Sequence, residues 1–260
     1  MKLGVCEAPM QLLPRSDGWQ ALADAVRAAA PDLFLLNEMP FGDWIANGPG
    51  RDPEVLQQSH RLHAEGLDCL GDLQVPTVLS SQAVPEGDRS VNQGYVWSAE
   101  DGVTPIHTKQ FFPDEEGYYE ARWYDRGKQR FEIGDAGGVR VGFLICTDVM
   151  FLEWARYYGR HGADLIMVPR ATPLASLERW KTVIAAAAIV SGCYVASSNR
   201  SGTPEWGIAF GGRGWIFDPW GDLLAETSSE HPVVTAEIDL AKVVEAKREY
   251  PRYVEDLPDR

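Results

Sequence analysis

The stretch Val139-Arg140-Val141-Gly142-Phe143-Leu144-Ile145-Cys146-Thr147-Asp148 is an apolar run that ends on a thiol, and a helical pattern over residues 151–161 follows it. Leu165-Ile166-Met167-Val168 is a second apolar run, residues 177–191 carry a second helical pattern, and Tyr194-Val195-Ala196-Ser197-Ser198 is a third run. Short apolar runs rich in β-branched residues, alternating with longer stretches of helical spacing, specify a layered α/β architecture. Toward the N-terminus the alternation continues. A helical pattern over 21–30 leads through Pro31-Asp32 into Leu33-Phe34-Leu35-Leu36, an amphipathic pattern covers 54–73, and strands are expected at Val75-Pro76-Thr77-Val78-Leu79 and over 91–97. Toward the C-terminus, Gly214-Trp215-Ile216-Phe217, the turn Asp218-Pro219-Trp220-Gly221 and Leu223-Leu224-Ala225 read as a hairpin, with a further strand over 233–238. Part of the sheet is therefore expected to be antiparallel.

The chain has 260 residues, with 24 Lys or Arg against 38 Asp or Glu, a formal charge of −14. That excess of acid argues against a nucleic-acid or anionic-membrane surface. No apolar stretch after Met1-Lys2 reads as a secretory signal or a spanning helix, so the expected compartment is the cytoplasm. Neither a solenoid repeat nor a low-complexity linker interrupts the pattern, and one domain over residues 1–260 is expected. Cys6, Cys69, Cys146 and Cys193 have no paired spacing, which fits neither a disulfide framework nor a zinc site.

Three residues carry candidate chemistry, and each leaves two readings open. Cys146 at a strand-to-helix turn faces backbone N–H groups and a positive helix end, which favours thiolate and a nucleophile; equally, it is a small buried hydrophobe. Glu38, at the carboxyl end of a buried strand, sits where ligands collect in α/β sheets and where desolvation lifts a carboxyl toward a general base's range; the alternative is a solvated loop carboxylate. Lys109, in His107-Thr108-Lys109-Gln110-Phe111-Phe112-Pro113, is a cation among aromatics suited to a developing oxyanion, with Glu120 downstream to hold it, or else a surface lysine.

Taken together, Glu38, Lys109 and Cys146, in that order and each after an expected strand, resemble the nitrilase superfamily of carbon–nitrogen hydrolases. Gly117-Tyr118-Tyr119-Glu120 is similar to the family's second-glutamate region, residues 140–148 to its nucleophile strand, and residues 162–169 to the strand after it. Ser198-Asn199-Arg200-Ser201-Gly202 and Asp218-Pro219-Trp220-Gly221 are similar to its later landmarks. The resemblance implies a four-layer αββα sandwich and a homodimer or larger homo-oligomer, with residues from about 240 forming a C-terminal extension that contacts another subunit. It also implies that Glu38 moves the thiol proton to departing ammonia, Cys146 attacks an amide carbon, Lys109 and the Thr147 backbone N–H hold the oxyanion, and Glu120 orients Lys109. No metal or cofactor is implied. The expected partner is a small amide, carbamoyl or nitrile substrate. Thr147 stands where nitrile-cleaving members usually have Trp, which points to the amide-cleaving branches. Nitrile hydrolysis, acyl transfer and a non-catalytic binding protein remain as alternatives.

Among the other candidates, Arg170 either clamps a substrate carboxylate or makes an internal ion pair. Tyr119 and Trp123 are expected near the substrate, while Trp123, Trp206 and Phe210 can equally be packing. His60 and His63 share a helix spacing and read as a solvated face in preference to a metal pair. Gly211-Gly212-Arg213-Gly214 reads as a flexible turn, since it lacks the strand-before and helix-after context of a phosphate loop.

Overall fold

The structure is a computed structural model that describes residues 1–87, 89–127 and 131–257. Its strands and helices run in the order β1 (Lys2–Pro9), α1 (Asp17–Ala29), β2 (Leu33–Leu35), α2 (Pro53–Leu67), β3 (Thr77–Glu86), β4 (Arg89–Ser98), β5 (Gly102–Thr108), α3 (Glu120–Trp123) and β6 (Gly134–Asp135). They continue as β7 (Arg140–Phe143), α4 (Leu152–Arg160), β8 (Leu165–Pro169), α5 (Leu177–Ser191) and β9 (Tyr194–Gly202). The last are β10 (Phe210–Gly211), β11 (Trp215–Phe217), β12 (Leu223–Glu226), β13 (Val233–Glu237) and α6 (Leu240–Ala246).

Hydrogen-bonded neighbours follow the path β5-β4-β3-β2-β1-β9-β8-β7-β6. β1, β2 and β3 are parallel to one another, as are β7, β8 and β9, while the β3–β4–β5 and β6–β7 pairs are antiparallel. The two halves join where Glu7–Pro9 of β1 pair in parallel with Asn199–Ser201 of β9. As expected, the β11–β12 hairpin and β13 add antiparallel strands.

The sheet doubles over on itself at that joint, and the alternation of side chains along each strand shows how. Leu3, Val5, Leu33, Leu35 and Leu79 of one half share a buried cluster with Val141, Phe143, Leu165 and Met167 of the other. Gly94 on β4 is a point of close approach between the layers: a Cβ there would meet the Phe143 ring at 3.0 Å. The opposite faces carry the helices. Cys6, Ala8, Phe34 and Val78 pack against Trp19, Leu22, Ala23 and Val26 of α1. On the far side, Gly142 lies under the Tyr158 ring of α4, and Gly159 of α4 sits against the Ser191 backbone of α5. Two sheet layers between two helix layers is the expected αββα arrangement. Local signals fix the helix starts: Ser16 Oγ accepts from Trp19 N, and Asp52, ahead of Pro53, accepts from Glu54 N.

Several expectations shift. β1 is a strand that the local sequence pattern does not announce; its Gly4 is required because Phe34 and Pro31 occupy the space of a Cβ. The segment 211–214 is not a flexible turn: Gly212 N donates to Arg200 O and Arg213 N to Glu7 Oε2. Nor do His60 and His63 form a solvated face. His63 is buried with Nδ1 on Ser59 O, its pKa pushed down to about 4 chiefly by burial, and His60 Nε2 meets Ser90 Oγ.

Candidate active site

Three of the four chemical side chains, Glu38, Lys109 and Cys146, sit within three residues of the end of a strand. Glu38 follows β2 and precedes Met39, whose φ of 41° turns the chain sharply. Lys109 directly follows β5, with its N–H on Asn92 O at 2.9 Å. Glu120 opens the short α3. Cys146 follows β7 by three residues and begins a 3₁₀ turn over Cys146–Met150, its own φ being 48°. A left-handed conformation at a non-glycine residue costs about 1–3 kcal/mol and is held only where packing over-determines it. One buried arginine, Arg200, grips main-chain carbonyls around the Met39 turn. Arg200 donates to Met10 O at 2.6 Å, to Gly42 O at 2.9 Å and to Met39 O.

The head groups converge away from water. Lys109 Nζ donates to Glu38 Oε1 at 2.8 Å and to both oxygens of Glu120 at 2.9 and 2.6 Å. Asn92 Nδ2 also donates to Glu38 Oε1 at 2.8 Å, which leaves Glu38 Oε2 as a buried oxygen without a donor among the described residues. Cys146 lies close enough that both Glu38 and Lys109 bear on its titration.

Two carboxylates around one ammonium leave a surplus negative charge, and the cluster responds by retaining a proton. Burial first, then Glu38, raises Glu120 to about 8, although Lys109 pulls the other way. Burial alone would lower Lys109, yet Glu120 and Glu38 outweigh it and hold the ammonium charged well above its usual range. These directions agree once the retained proton is assigned to Glu120 and the charge to Lys109. Cys146 corrects the expectation of a spontaneous thiolate. Burial, reinforced by Glu38, drives the thiol well above its ordinary pKa, against the opposing pull of Lys109.

A cleft of about 380 Å³ opens onto this cluster. Cys146, Glu120 and Tyr118 line it, with Thr147, Met150 and Trp180 on the walls and Glu115 and Arg179 also contributing. Of the expected site residues, Cys146, Glu120 and Thr147 line the cleft, and Glu38 and Lys109 are buried in the same cluster. Three others do not line it. Arg170 is fully buried: it donates to Ser197 Oγ, Thr172 Oγ1, Gly212 O and Arg213 O and lies 4.0 Å over the Trp215 ring. Among the described residues it makes no salt bridge, and its guanidinium is taken up by these partners. Tyr119 stacks under Arg122, and Trp123 is packed with its indole N–H on Gly48 O. Sequence reasoning missed Tyr118, whose buried hydroxyl has no partner among the described residues, although strand-like alternation in Tyr118-Tyr119-Glu120 places 118 and 120 on one side. It also missed Asn92, which nothing in its surroundings marks. Among the described residues no group of three His, Cys, Asp or Glu is arranged to hold a metal.

The fold is an αββα sandwich with a buried Glu–Lys–Cys cluster at its cleft, and comparison with known sequences and structures narrows its class. Residues 73–248, more than half of the chain, match the profile of the carbon-nitrogen hydrolase family. The chain belongs to that family, within the nitrilase superfamily that its motifs resemble. It is 39% identical over 115 residues to a 2-oxoglutaramate amidase from Bacillus subtilis (strain 168), a match covering 44% of each chain. It is 29% identical over 130 residues to an omega-amidase from Bos taurus, covering 50% of this chain and 47% of that one. The chain thus spans about half the length of the curated relatives it matches. The crystal structure of a carbon-nitrogen hydrolase from Helicobacter pylori G27 superposes with a TM-score of 0.86 at 21% identity, covering 97% of this chain and 94% of that chain. That likeness confirms the fold.

Proposed function

We infer that the protein hydrolyses a small linear amide through a thioester on Cys146, releasing ammonia. The observation that carries this reading is Glu38 Oε2, a buried carboxylate oxygen with no donor, set beside a buried protonated thiol and tied through Oε1 to the Lys109 that Glu120 holds. A thiol that does not ionise by itself needs a base, and an unpartnered carboxylate oxygen is one. Glu38 Oε2 takes the thiol proton as sulfur attacks the amide carbon. The carbonyl π electrons move to oxygen, where the Lys109 charge and the Thr147 backbone N–H stabilise them. The C–N bond then breaks, Glu38 returns the proton to nitrogen, and ammonia leaves. Water, deprotonated by the same carboxylate, cleaves the thioester to the acid and restores the thiol. The balance is amide plus water giving carboxylic acid plus ammonia. Glu120, gripping Lys109 through both oxygens, keeps the ammonium aimed.

Amides, in preference to nitriles or N-carbamoyl compounds, are supported by Thr147 beside the nucleophile and by the amidase activities named for the two curated relatives. The test is a panel of small amides, ureido acids and nitriles with ammonia detection. The wild type is expected to release ammonia fastest from an amide, and Cys146→Ala to release none while keeping its fold. Glu38→Gln is expected to form no acyl adduct by intact mass. Undiminished turnover by Cys146→Ala would overturn the assignment, and faster turnover of matched nitriles would replace the substrate class.

A further inference from the structure

Asp148 is wholly buried and accepts four hydrogen bonds. Its Oδ1 takes Gln110 N at 3.1 Å and Phe111 N at 3.0 Å; its Oδ2 takes Ile145 N at 3.2 Å and His107 Nε2 at 2.9 Å. Phe131 N donates to His107 Nδ1 at 3.2 Å. A ring nitrogen that accepts carries no proton, so the imidazole proton sits on Nε2 and points at Asp148. Every donor to Asp148 stands within two residues of Lys109 or Cys146. Residues 107, 110 and 111 flank Lys109, and Ile145 is the residue before Cys146. These two segments belong to opposite halves of the folded sheet: Lys109 follows β5 at one end of the strand path, and Cys146 follows β7 near the other. Asp148 does not line the cleft, so it has no route to substrate.

We propose that Asp148, aimed by the imidazole of His107, is a positioning residue that clamps the Lys109 segment to the Cys146 turn and so sets the ammonium against the sulfur. The inference rests on the reading of Cys146 as nucleophile. A buried carboxylate is costly unless donors saturate it, and this one is saturated by groups from both catalytic segments. Its geometry is also exclusive. In an amide of the same shape one oxygen becomes an NH₂, so two of the four donors would face another donor. His107 cannot absorb the change by moving its proton to Nδ1, because that nitrogen already receives the Phe131 N–H.

The experiment compares Asp148→Asn, His107→Leu and His107→Gln with the wild type. It measures kcat and KM on the amide turned over fastest, the rate of Cys146 alkylation by iodoacetamide, and the melting transition. Asp148→Asn is expected to lower kcat about 100-fold, the loss typical of a small misplacement of reacting groups, with KM changed by less than about threefold. Alkylation of Cys146 is expected to slow about tenfold, since the ammonium no longer faces the sulfur. His107→Leu should behave like Asp148→Asn. His107→Gln, whose amide keeps one N–H for Asp148 and one oxygen for Phe131 N, should stay within about threefold of wild type. A merely structural role would lower melting temperature in all three without this order in kcat. Folded Asp148→Asn or His107→Leu with wild-type kcat and alkylation rate overturns the proposal, as does His107→Gln as impaired as His107→Leu. Should Asp148→Asn fail to fold, the two His107 variants decide. Failure of wild-type Cys146 to react ahead of the other cysteines would instead sink the functional reading, which separates the two.

Discussion

Glu120 and Glu38 share the single ammonium of Lys109, and the proton that this cluster retains has a measurable consequence. The Glu120 carboxyl moves from an ordinary 4.5 to about 8, mainly through burial. Between those values the native state holds a proton that the unfolded chain has released, so this group's contribution to stability is complete below the lower value and lost above the upper one. Stability is predicted to fall with rising pH across that window, by at most about 1.4 kcal/mol per pH unit for one proton. Glu120→Gln, which cannot ionise, should show a shallower slope in urea unfolding; identical slopes would contradict the account. Tyr118 supplies a second prediction. Tyr118 lines the cleft, and its buried hydroxyl has no partner among the described residues to lose on removal. Tyr118→Phe is expected to reduce kcat/KM about tenfold, one hydrogen bond to substrate, with no loss of melting temperature. Unchanged kcat/KM would remove Tyr118 from substrate contact. At this scale the sequence carried residue type but not orientation. Glu38, Lys109, Glu120 and Cys146 were legible as chemistry, whereas Arg170, Tyr119 and Trp123 were assigned by proximity along the chain. Their side chains turned out to be occupied by Ser197, Arg122 and Gly48.

Secondary elements whose identity rests on local pattern were the most legible. α5 occupies residues 177–191 as read, because its apolar spacing and the left-handed Gly192 cap are both local signals. β7 is shorter than its apolar run: it stops at Phe143, and after Leu144, whose N–H still donates to Met167 O, the chain turns away to build the nucleophile turn. β1 escaped notice because small residues such as Gly4 and Ala8 are dictated by what packs on them, which a local pattern does not record. The same close approaches set the helix layer. A Cβ on Gly159 would lie 2.1 Å from Ser191 O, a backbone atom that cannot rotate away. Gly159→Ala is therefore predicted to force α4 and α5 apart and destabilise the fold by about 1–3 kcal/mol. Gly71→Ala, which meets nothing within 4 Å, should be near neutral in the same urea titration. Equal effects at the two positions would refute this view of the helix packing.

On the scale of the whole molecule, the doubling of the sheet at the β1–β9 joint is what brings strand ends far apart in sequence to one cleft, and family resemblance, not periodicity, made that legible. No helix among the described residues is long and apolar enough to cross a membrane. Past α6 the tail docks on its own chain, with Arg156 and Arg160 on Asp256 and Lys247 on Ala163 O. Tyr250 and Leu257 nevertheless stay 74% and 79% exposed. We propose that this tail meets a second copy of the chain, and light scattering on the full chain should give at least twice the monomer mass of 28.8 kDa; a strict monomer would contradict it. The central claim, that Glu38 and Lys109 activate a buried Cys146, is tested most directly by mapping iodoacetamide modification of the four cysteines near neutral pH. Cys146 and Cys69 are equally shielded, at 3% and 2% exposed, so access alone would not separate them. The account predicts that Cys146 reacts first and that Glu38→Gln abolishes its lead. Modification of Cys69 at an equal or greater rate in the wild type would contradict it.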